Sequence, residues 1–360
     1  MTKKKTRIAV VPGDGIGVDV TREAVRCLDA VVERFRIPLE YETYPDVSAE
    51  GYLRNGVALP DSLFRELAAA DAIFLGAVGD PRVDHTDYAR SVVLRLRFDL
   101  DLYVNLRPAK LYDPSFTPLE RKNPVDIVVV RENTEDIYTG IGGTFKRNTP
   151  DELAVHEAIY TRKGTERIIR YAFDFAGRTG RTKVTMVDKS NVLVQGHGLW
   201  VRVFKEVSEE YPGIQADHLY VDNAAMQIVK RPWEMQVIVT TNMFGDILSD
   251  LVSEIVGGLG MAPSGNINPE SGKAMFEPVH GSAPKYAGKG IANPLAAILA
   301  MRMLLEFTGY PDAATAIESA VRTLIHKRIL PRDLGGDRTT SEVGAVIFEE
   351  IASGSVRVPG

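Results

Sequence analysis

The sequence predicts an α/β protein with a mixed central sheet flanked by helices. Short apolar runs at 8–11, 72–75, 126–130, 184–187 and 237–240 have strand length and β-branched character. Early in the chain such runs alternate with amphipathic helical periodicity, which dominates after residue 245. At 360 residues the chain can bury a large core, and its length predicts two domains or one large body.

The chain opens on a strand (8–11), a glycine turn (Pro12-Gly-Asp-Gly-Ile-Gly17) and an amphipathic helix (19–35). The turn lacks the G-x-G-x-x-G spacing that brings a pyrophosphate onto a helix N-terminus, so it is weak support for a usual Rossmann site. A tight turn needing glycine dihedrals explains it as well. Residues 72–75 form a second strand ending in Gly76-Ala-Val-Gly79, and 100–131 read as strands joined by proline-bearing turns. Helices are expected at 245–256, 294–307, 313–326 and 340–351, with a Gly/Pro-rich interruption at 257–272 and a frayed tail at 354–360.

Composition narrows the function. Apolar residues at 44% and charged residues at 25% are globular values, which argues against disorder. A net charge of -5 gives no general attraction to nucleic acid or anionic lipid, and the basic run Lys3-Lys4-Lys5 is short. The single cysteine, Cys27, can form neither an intrachain disulfide nor a thiol metal site, and is expected to be buried in the first helix. Nothing near the amino terminus resembles a signal peptide, and no apolar run approaches the ~18 residues of a membrane span. These features fit a cytoplasmic protein with no nucleic-acid or membrane partner.

The chemistry-bearing residues begin with carboxylates. Asp246 and Asp250, four apart on a helix, project from one face and can share one hard cation, and Asp222 in His218-Leu-Tyr-Val-Asp222 is a third candidate. Alone, such a pair is more often a solvated helix face. Arg97 and Arg107 flank the segment 98–106, and Arg131 ends a buried-looking strand. One such arginine is usually half of a structural ion pair, whereas three beside acidic residues favour a polycarboxylate ligand. Lys189 can act as a base where a divalent cation and arginines disfavour its ammonium form, and Tyr138 can return a proton to a carbanion. Taken singly, these read as a surface lysine and a core tyrosine.

Seven motifs, in order, carry a family resemblance. Pro12-Gly-Asp-Gly-Ile-Gly17, Asn105-Leu-Arg-Pro108, Val130-Arg-Glu-Asn-Thr-Glu-Asp-Ile-Tyr138, Val187-Asp-Lys-Ser-Asn191, Tyr220-Val-Asp222, Asn242-Met-Phe-Gly-Asp-Ile-Leu-Ser-Asp250 and Phe276-Glu-Pro-Val-His-Gly-Ser-Ala-Pro284 resemble the β-decarboxylating dehydrogenases of isopropylmalate, isocitrate and homoisocitrate. The resemblance implies a two-domain fold unlike the usual Rossmann domain. Residues 1–100 and 255–360 would form a discontinuous cofactor domain, and 101–254 a domain for substrate, metal and dimerisation. It also implies a homodimer whose sites borrow Lys189 and Asp222 from the neighbouring subunit.

Within the family pattern, Asp222, Asp246 and Asp250 hold Mg2+ or Mn2+, Lys189 is the base, Tyr138 the proton donor, and Arg97, Arg107 and Arg131 clamp the malate carboxylates. Ile16, Asn191, Glu277, His280, Gly281, Ser282, Ala283, Lys285, Tyr286 and Asn293 fall at positions around NAD or NADP. Lys285 stands where NAD-linked members usually carry an acidic residue, and Lys285-Tyr286 resembles the NADP-linked pair. The substituent on C3 would be read by Ser91, Val93 and Leu94. The serine matches isocitrate enzymes, which place an asparagine where this chain has Val93, while the apolar pair resembles isopropylmalate enzymes. Residues 131–140 look more like the isocitrate and homoisocitrate branch. The expected substrate is 3-isopropylmalate. The alternatives are isocitrate, homoisocitrate, another acidic 3-substituted malate such as a phosphono analogue, or a catalytically silent regulatory subunit.

Overall fold

The computed structural model of the protein describes residues 5–354, so Lys3, Lys4 and all of the expected frayed tail after Gly354 lie outside the described residues. Two compact units are present. One takes in the chain up to Leu102, then Leu111–Lys122 and the chain from Ser253 onward; the other takes in Tyr103–Lys110 and Asn123–Val252. The excursion Leu111–Lys122, placed by the sequence with the second domain, lies with the first because its side chains are engaged there. Arg328 donates to Ser115 Oγ at 2.9 Å, and the Arg322 guanidinium covers the Tyr112 ring at 5.2 Å.

The first unit opens with β1 (Thr6–Gly13), α1 (Ile16–Phe35), β2 (Leu39–Thr43), α2 (Ala49–Asn55), α3 (Asp61–Ala69), β3 (Ala72–Ala77) and α4 (Tyr88–Asp99). The second contains β4 (Val104–Lys110), β5 (Asp126–Glu132), the hairpin β6 (Gly142–Phe145) and β7 (Leu153–His156), α5 (Arg162–Arg178), β8 (Lys183–Asp188), α6 (Gly196–Ser208), β9 (Gln215–Tyr220), α7 (Val221–Lys230), β10 (Val237–Thr240) and most of α8 (Asn242–Ile255). The first unit then resumes with β11 (Pro263–Asn268), β12 (Lys273–Pro278), α9 (Leu295–Phe307), α10 (Pro311–His326) and α11 (Thr340–Ala352).

Strands of the first unit lie in the order β2-β1-β3-β12-β11, all neighbours parallel except β11 and β12. Those of the second lie in the order β4-β5-β10-β8-β9, with only β4 and β5 antiparallel. Every residue of β3 is buried, as expected for a parallel strand covered on both faces. Val11, Leu75, Val92, Leu96 and Met275 belong to one apolar cluster of the first unit. Cys27 is fully buried in α1, and burial pushes its thiol up, which leaves it inert at neutral pH.

One element defeats the sequence pattern. β11 lies inside the expected Gly/Pro-rich interruption, all six of its residues are buried, and Ser264 and Asn266 stand where apolar alternation would have announced a strand. Asn266 is tolerated because its Nδ2 donates to Met275 O at 3.3 Å and Glu277 Oε1 at 2.8 Å.

Candidate active site

In the second unit, Asn105 lies opposite Arg131 and Arg107 opposite Val129. Because side chains alternate along a strand, Arg107 and Arg131 point to the same face of the sheet. The start of α8 is laid against them. Arg131, only 1% exposed, donates through Nε and Nη2 to Asn242 Oδ1 at 2.8 and 2.6 Å, and through Nη1 to Asp246 Oδ1. A Cβ on Gly245 would lie 2.5 Å from Arg131 Cγ, so this helical glycine lets the two meet. Arg107 Nη1 donates to Ser249 Oγ at 2.7 Å and reaches Asp246 Oδ1 at 3.2 Å and Asp250 Oδ1 at 3.4 Å. Tyr138, in the 3₁₀ turn Ile137–Thr139, donates to Asp246 Oδ2 at 2.7 Å, with the Arg131 guanidinium 5.0 Å from its ring.

Asp246 and Asp250 are therefore more than a solvated helix face: though part-exposed, they share a cation, the Arg107 guanidinium. Burial pushes the Asp250 carboxyl above its ordinary value, opposed by Arg107 and Arg131 and reinforced by the charge of Asp246. Among the described residues, no three His, Cys, Asp or Glu side chains converge as a complete metal site. The pair does offer hard oxygen donors alone, which suits Mg2+ or Mn2+, with further oxygens supplied by substrate, water or a second chain.

Lys189 and Asp222 form a separate pair. Lys189 follows β8 directly, and its Nζ donates to Oδ1 of Asp222, the second residue of α7. Hydrogen bonding from that ammonium holds the exposed Asp222 carboxyl below the usual carboxylate range. Asn191, two residues further on, is exposed.

In the first unit, Ser91, Leu94 and Arg97 follow each other at three-residue spacing on α4 and so share a face. Val93 is half-buried and packs against the apolar cluster. Arg97 Nη2 donates to Glu277 Oε1 at 2.9 Å, so the glutamate expected beside a cofactor also holds the arginine expected to bind substrate. Arg95 is fully committed to Leu59 O at 2.6 Å, Asp61 at 2.6 Å and Asp99 at 3.3 Å.

Most of the glycine turn is engaged with its own neighbours rather than open to a phosphate. The N–H groups of Asp14, Ile16 and Gly17 are spent on Ala77 O, Ser282 O and Asp14 O, at 2.7, 2.7 and 2.9 Å. Gly15 has φ +57°, and a Cβ there would meet Ser282 O at 2.1 Å, so the turn exists to dock the 280–293 loop. On that loop His280 directs Nδ1 at Gly281 O, 3.0 Å away, which leaves Nε2 as a buried acceptor that finds no hydrogen-bond partner among the described residues. Burial holds the imidazole below its ordinary value and hence neutral. An unmet acceptor of this kind fits a ligand bringing its own donor, such as an adenine amino group or a ribose hydroxyl.

Around it, Ser282 is buried, Gly281 and Lys285 are exposed, Ala283 has φ +36°, and Lys285 Nζ lies 4.7 Å from the Tyr286 ring. Asn293 is committed at both ends, its Oδ1 accepting from Leu295 N at 2.9 Å and its Nδ2 donating to Asp333 Oδ2 at 3.0 Å. Burial raises the Asp333 carboxyl. The sequence reading did not single out Asp333, since no local pattern distinguishes it from the other acids of that turn.

Carboxylates and arginines converge in the second unit, and the glycine turn of the first is engaged with its own loops, unlike the phosphate loop of the usual Rossmann type. The chain belongs to the isocitrate/isopropylmalate dehydrogenase family, whose model matches residues 7–347. It is thus a decarboxylating dehydrogenase working with a nicotinamide cofactor, a divalent metal and a small-molecule substrate. It is 45% identical to the 3-isopropylmalate dehydrogenase of Thermobifida fusca over 98% of this chain and 99% of that one. The 3-isopropylmalate dehydrogenase of Bifidobacterium longum is 47% identical over 96% and 98%. A crystal structure of isocitrate dehydrogenase from Methylococcus capsulatus superposes with a TM-score of 0.88 at 41% identity, covering 96% of this chain and 99% of that one. Among the described residues no helix is long and apolar enough to cross a membrane.

Proposed function

We infer that the protein oxidises and decarboxylates a (2R)-malate bearing a 3-substituent to a 2-oxo acid, with hydride transfer to NAD(P)+, and that the substrate is 3-isopropylmalate. The observation carrying the substrate choice is α4. Leu94 shares a face with Arg97, and Arg95, one of the two neighbouring cations that could rescue an acidic substituent, is locked to Leu59, Asp61 and Asp99. Desolvating a carboxylate there without a partner costs several kcal/mol, on the order of 3 or more. The names of the sequence relatives support the same substrate.

A bound divalent cation supplies Lewis acidity at the C2 oxygen and along the decarboxylation, and a bound nicotinamide accepts the hydride. Asp246 and Asp250, completed by Asp222, would hold the cation. Lys189 takes the proton of the C2 hydroxyl, and Tyr138 returns one to C3 after CO2 leaves. Arg107, Arg131 and Arg97 bind and orient the malate carboxylates. Ile16, Asn191 and the loop carrying His280 bind the nucleotide.

The protein is read as a homodimer with shared sites. Val192, Val194, Met226, Val229 and Ile247 are exposed apolar residues lying within a few positions of Lys189, Asp222 and Asp246, as expected where a second copy covers them.

Initial rates with Mg2+ or Mn2+ test the substrate reading. The kcat/KM for 3-isopropylmalate is expected to exceed those for isocitrate, homoisocitrate and a phosphono analogue by about 100-fold. Preference for an acidic substituent would establish the second reading, which Ser91 and the exposed Arg90 favour. Turnover of none of the four would leave a non-catalytic subunit.

Lys285 is read as the group that admits a 2'-phosphate. Lys285→Asp should then cut the NADP-to-NAD ratio of kcat/KM by roughly 10- to 100-fold, the value of one charge-assisted contact. An unchanged ratio would remove Lys285 from cofactor choice.

A further inference from the structure

We propose that Asp136 is a positioning residue, the hub of a hydrogen-bonded brace that fixes the backbone at Lys189, the turn of Tyr138 and the start of the aspartate-bearing helix α8 within one chain, and so, on the shared-site reading, steadies elements that serve two active sites. Its kinetic consequence rests on the functional reading above, whereas its geometry does not.

Asp136 is 1% exposed and has φ 68° and ψ -154°, a backbone conformation that L residues rarely adopt. Glycine would be the economical choice there, so the side chain must do something glycine cannot. Its Oδ1 accepts from Tyr160 Oη at 2.8 Å and from Ile137 N at 2.9 Å, and its Oδ2 accepts from Met243 N at 2.9 Å. Its own N–H donates to Ile159 O at 2.9 Å. One carboxylate thus fastens the turn that carries Tyr138 and the first turn of α8, three residues before Asp246.

The third arm runs through a half-buried tyrosine and a fully buried histidine. Tyr160 Oη lies 3.1 Å from His197 Nε2, and His197 Nδ1 lies 2.9 Å from Lys189 N. A backbone N–H can only donate, so Nδ1 is unprotonated and the neutral ring carries its proton on Nε2. Nε2–H then donates to Tyr160 Oη, which frees the phenol proton for Asp136 Oδ1. Every link has one donor and one acceptor, and the direction is fixed from Lys189 N to the Asp136 carboxylate. Burial of His197 favours this neutral form. Lys189 is braced from the other side as well, since Asp188 Oδ1 accepts from Ser190 N at 3.0 Å and meets His218 Nε2 at 3.0 Å. Three chain segments bearing reactive groups, far apart in sequence, therefore share one set of polar bonds inside a single unit.

Two variants separate this role from general stability. Asp136→Gly provides the residue that the backbone prefers and deletes the carboxylate; Tyr160→Phe keeps the ring and cuts only the arm to His197. For each, thermal melting, kcat and KM with 3-isopropylmalate, and hydrogen exchange of the Lys189 and Met243 amides are measured. Asp136→Gly should lower kcat by about 10- to 100-fold, the effect of small misplacements of reacting groups. KM should stay within about threefold, because substrate-binding arginines are untouched. Both amides should lose protection. Tyr160→Phe should lower kcat and expose Lys189 N alone, and the double variant should be no slower than Asp136→Gly, since the links act in series. Folded variants with wild-type kcat, or with both amides still protected, would overturn the hub. If the wild type turned over no substituted malate, the functional reading would fail, and the exchange pattern by itself would still judge the brace.

Discussion

Asp250→Asn is expected to remove metal-dependent turnover, by about 10²- to 10³-fold in kcat, while leaving the protein folded. Lewis-acid stabilisation is worth several kcal/mol, and each 1.36 kcal/mol is tenfold in rate. The structural cost is small by comparison. The Asp250 side chain is 52% exposed and meets Arg107 at a loose 3.4 Å, while Arg107 keeps Ser249 and Asp246. An ion pair so exposed contributes at most about 1 kcal/mol. Asp246→Asn should be equally inactive and visibly less stable, because Arg131 is buried and would lose its anionic neighbour. Discounted for the 39% exposure of Asp246, that loss is about 1–3 kcal/mol. Rates at saturating Mn2+ alongside thermal melts distinguish the two. Wild-type rates in Asp250→Asn, or wild-type turnover that survives exhaustive chelation, would sink the metal assignment.

The fold was legible where chemistry leaves a periodic trace. β3 and most of β10 are unbroken apolar runs, α10 carries amphipathic spacing and α9 is a long apolar run, so their existence follows from the chain alone. β11 was not legible, because its burial is made tolerable by hydrogen bonds from Asn266 to residues that lie beyond the next turn. The excursion Leu111–Lys122 was missed for a similar reason: Arg322 and Arg328, which engage it, come some two hundred residues later.

The site divides the same way. Asp246 and Asp250 could be paired from helical spacing, and Arg131 could be suspected from its place at a strand end. That Arg107 is the cation the two aspartates share required the register of β4 on β5, and only then does Gly245 make sense as the gap through which Arg131 reaches α8. Glu277 is named by its motif as a neighbour of the cofactor, and only the fold adds that its carboxylate also steadies Arg97, a bond across 180 positions that no motif announces. Asp136, Tyr160 and His197 carry no spacing signal at all, because their relation exists only through the folded backbone.

The two clusters of the second unit lead to the last expected result: two inactive variants, mixed after joint unfolding and refolding, should regain activity. In one chain Lys189 lies with Asp222, and Asp246 lies with Asp250, Arg107, Arg131 and Tyr138. If each active site takes the first group from one subunit and the second from the other, Lys189→Met and Asp250→Asn disable different halves. A mixed dimer then holds one site with both lesions and one site with neither. Random reassortment makes half of the dimers mixed, so about a quarter of wild-type activity should return, from chains that are each inactive alone. Lys189→Met by itself should lose about 10²- to 10⁴-fold in kcat, as for a removed general base, which sets a low background. Recovery that follows the mixing ratio, with its maximum at equal amounts, is the signature of sharing. A mixture that stays as inactive as its components, although mixed dimers are found by mass, would place both groups in the site of one chain and end the shared-site reading. The exposed Val192, Val194, Met226 and Ile247 offer an independent check: a charge at Met226 should hinder dimer formation and turnover together, because the apolar surface and the catalytic pairs occupy the same helices and loops.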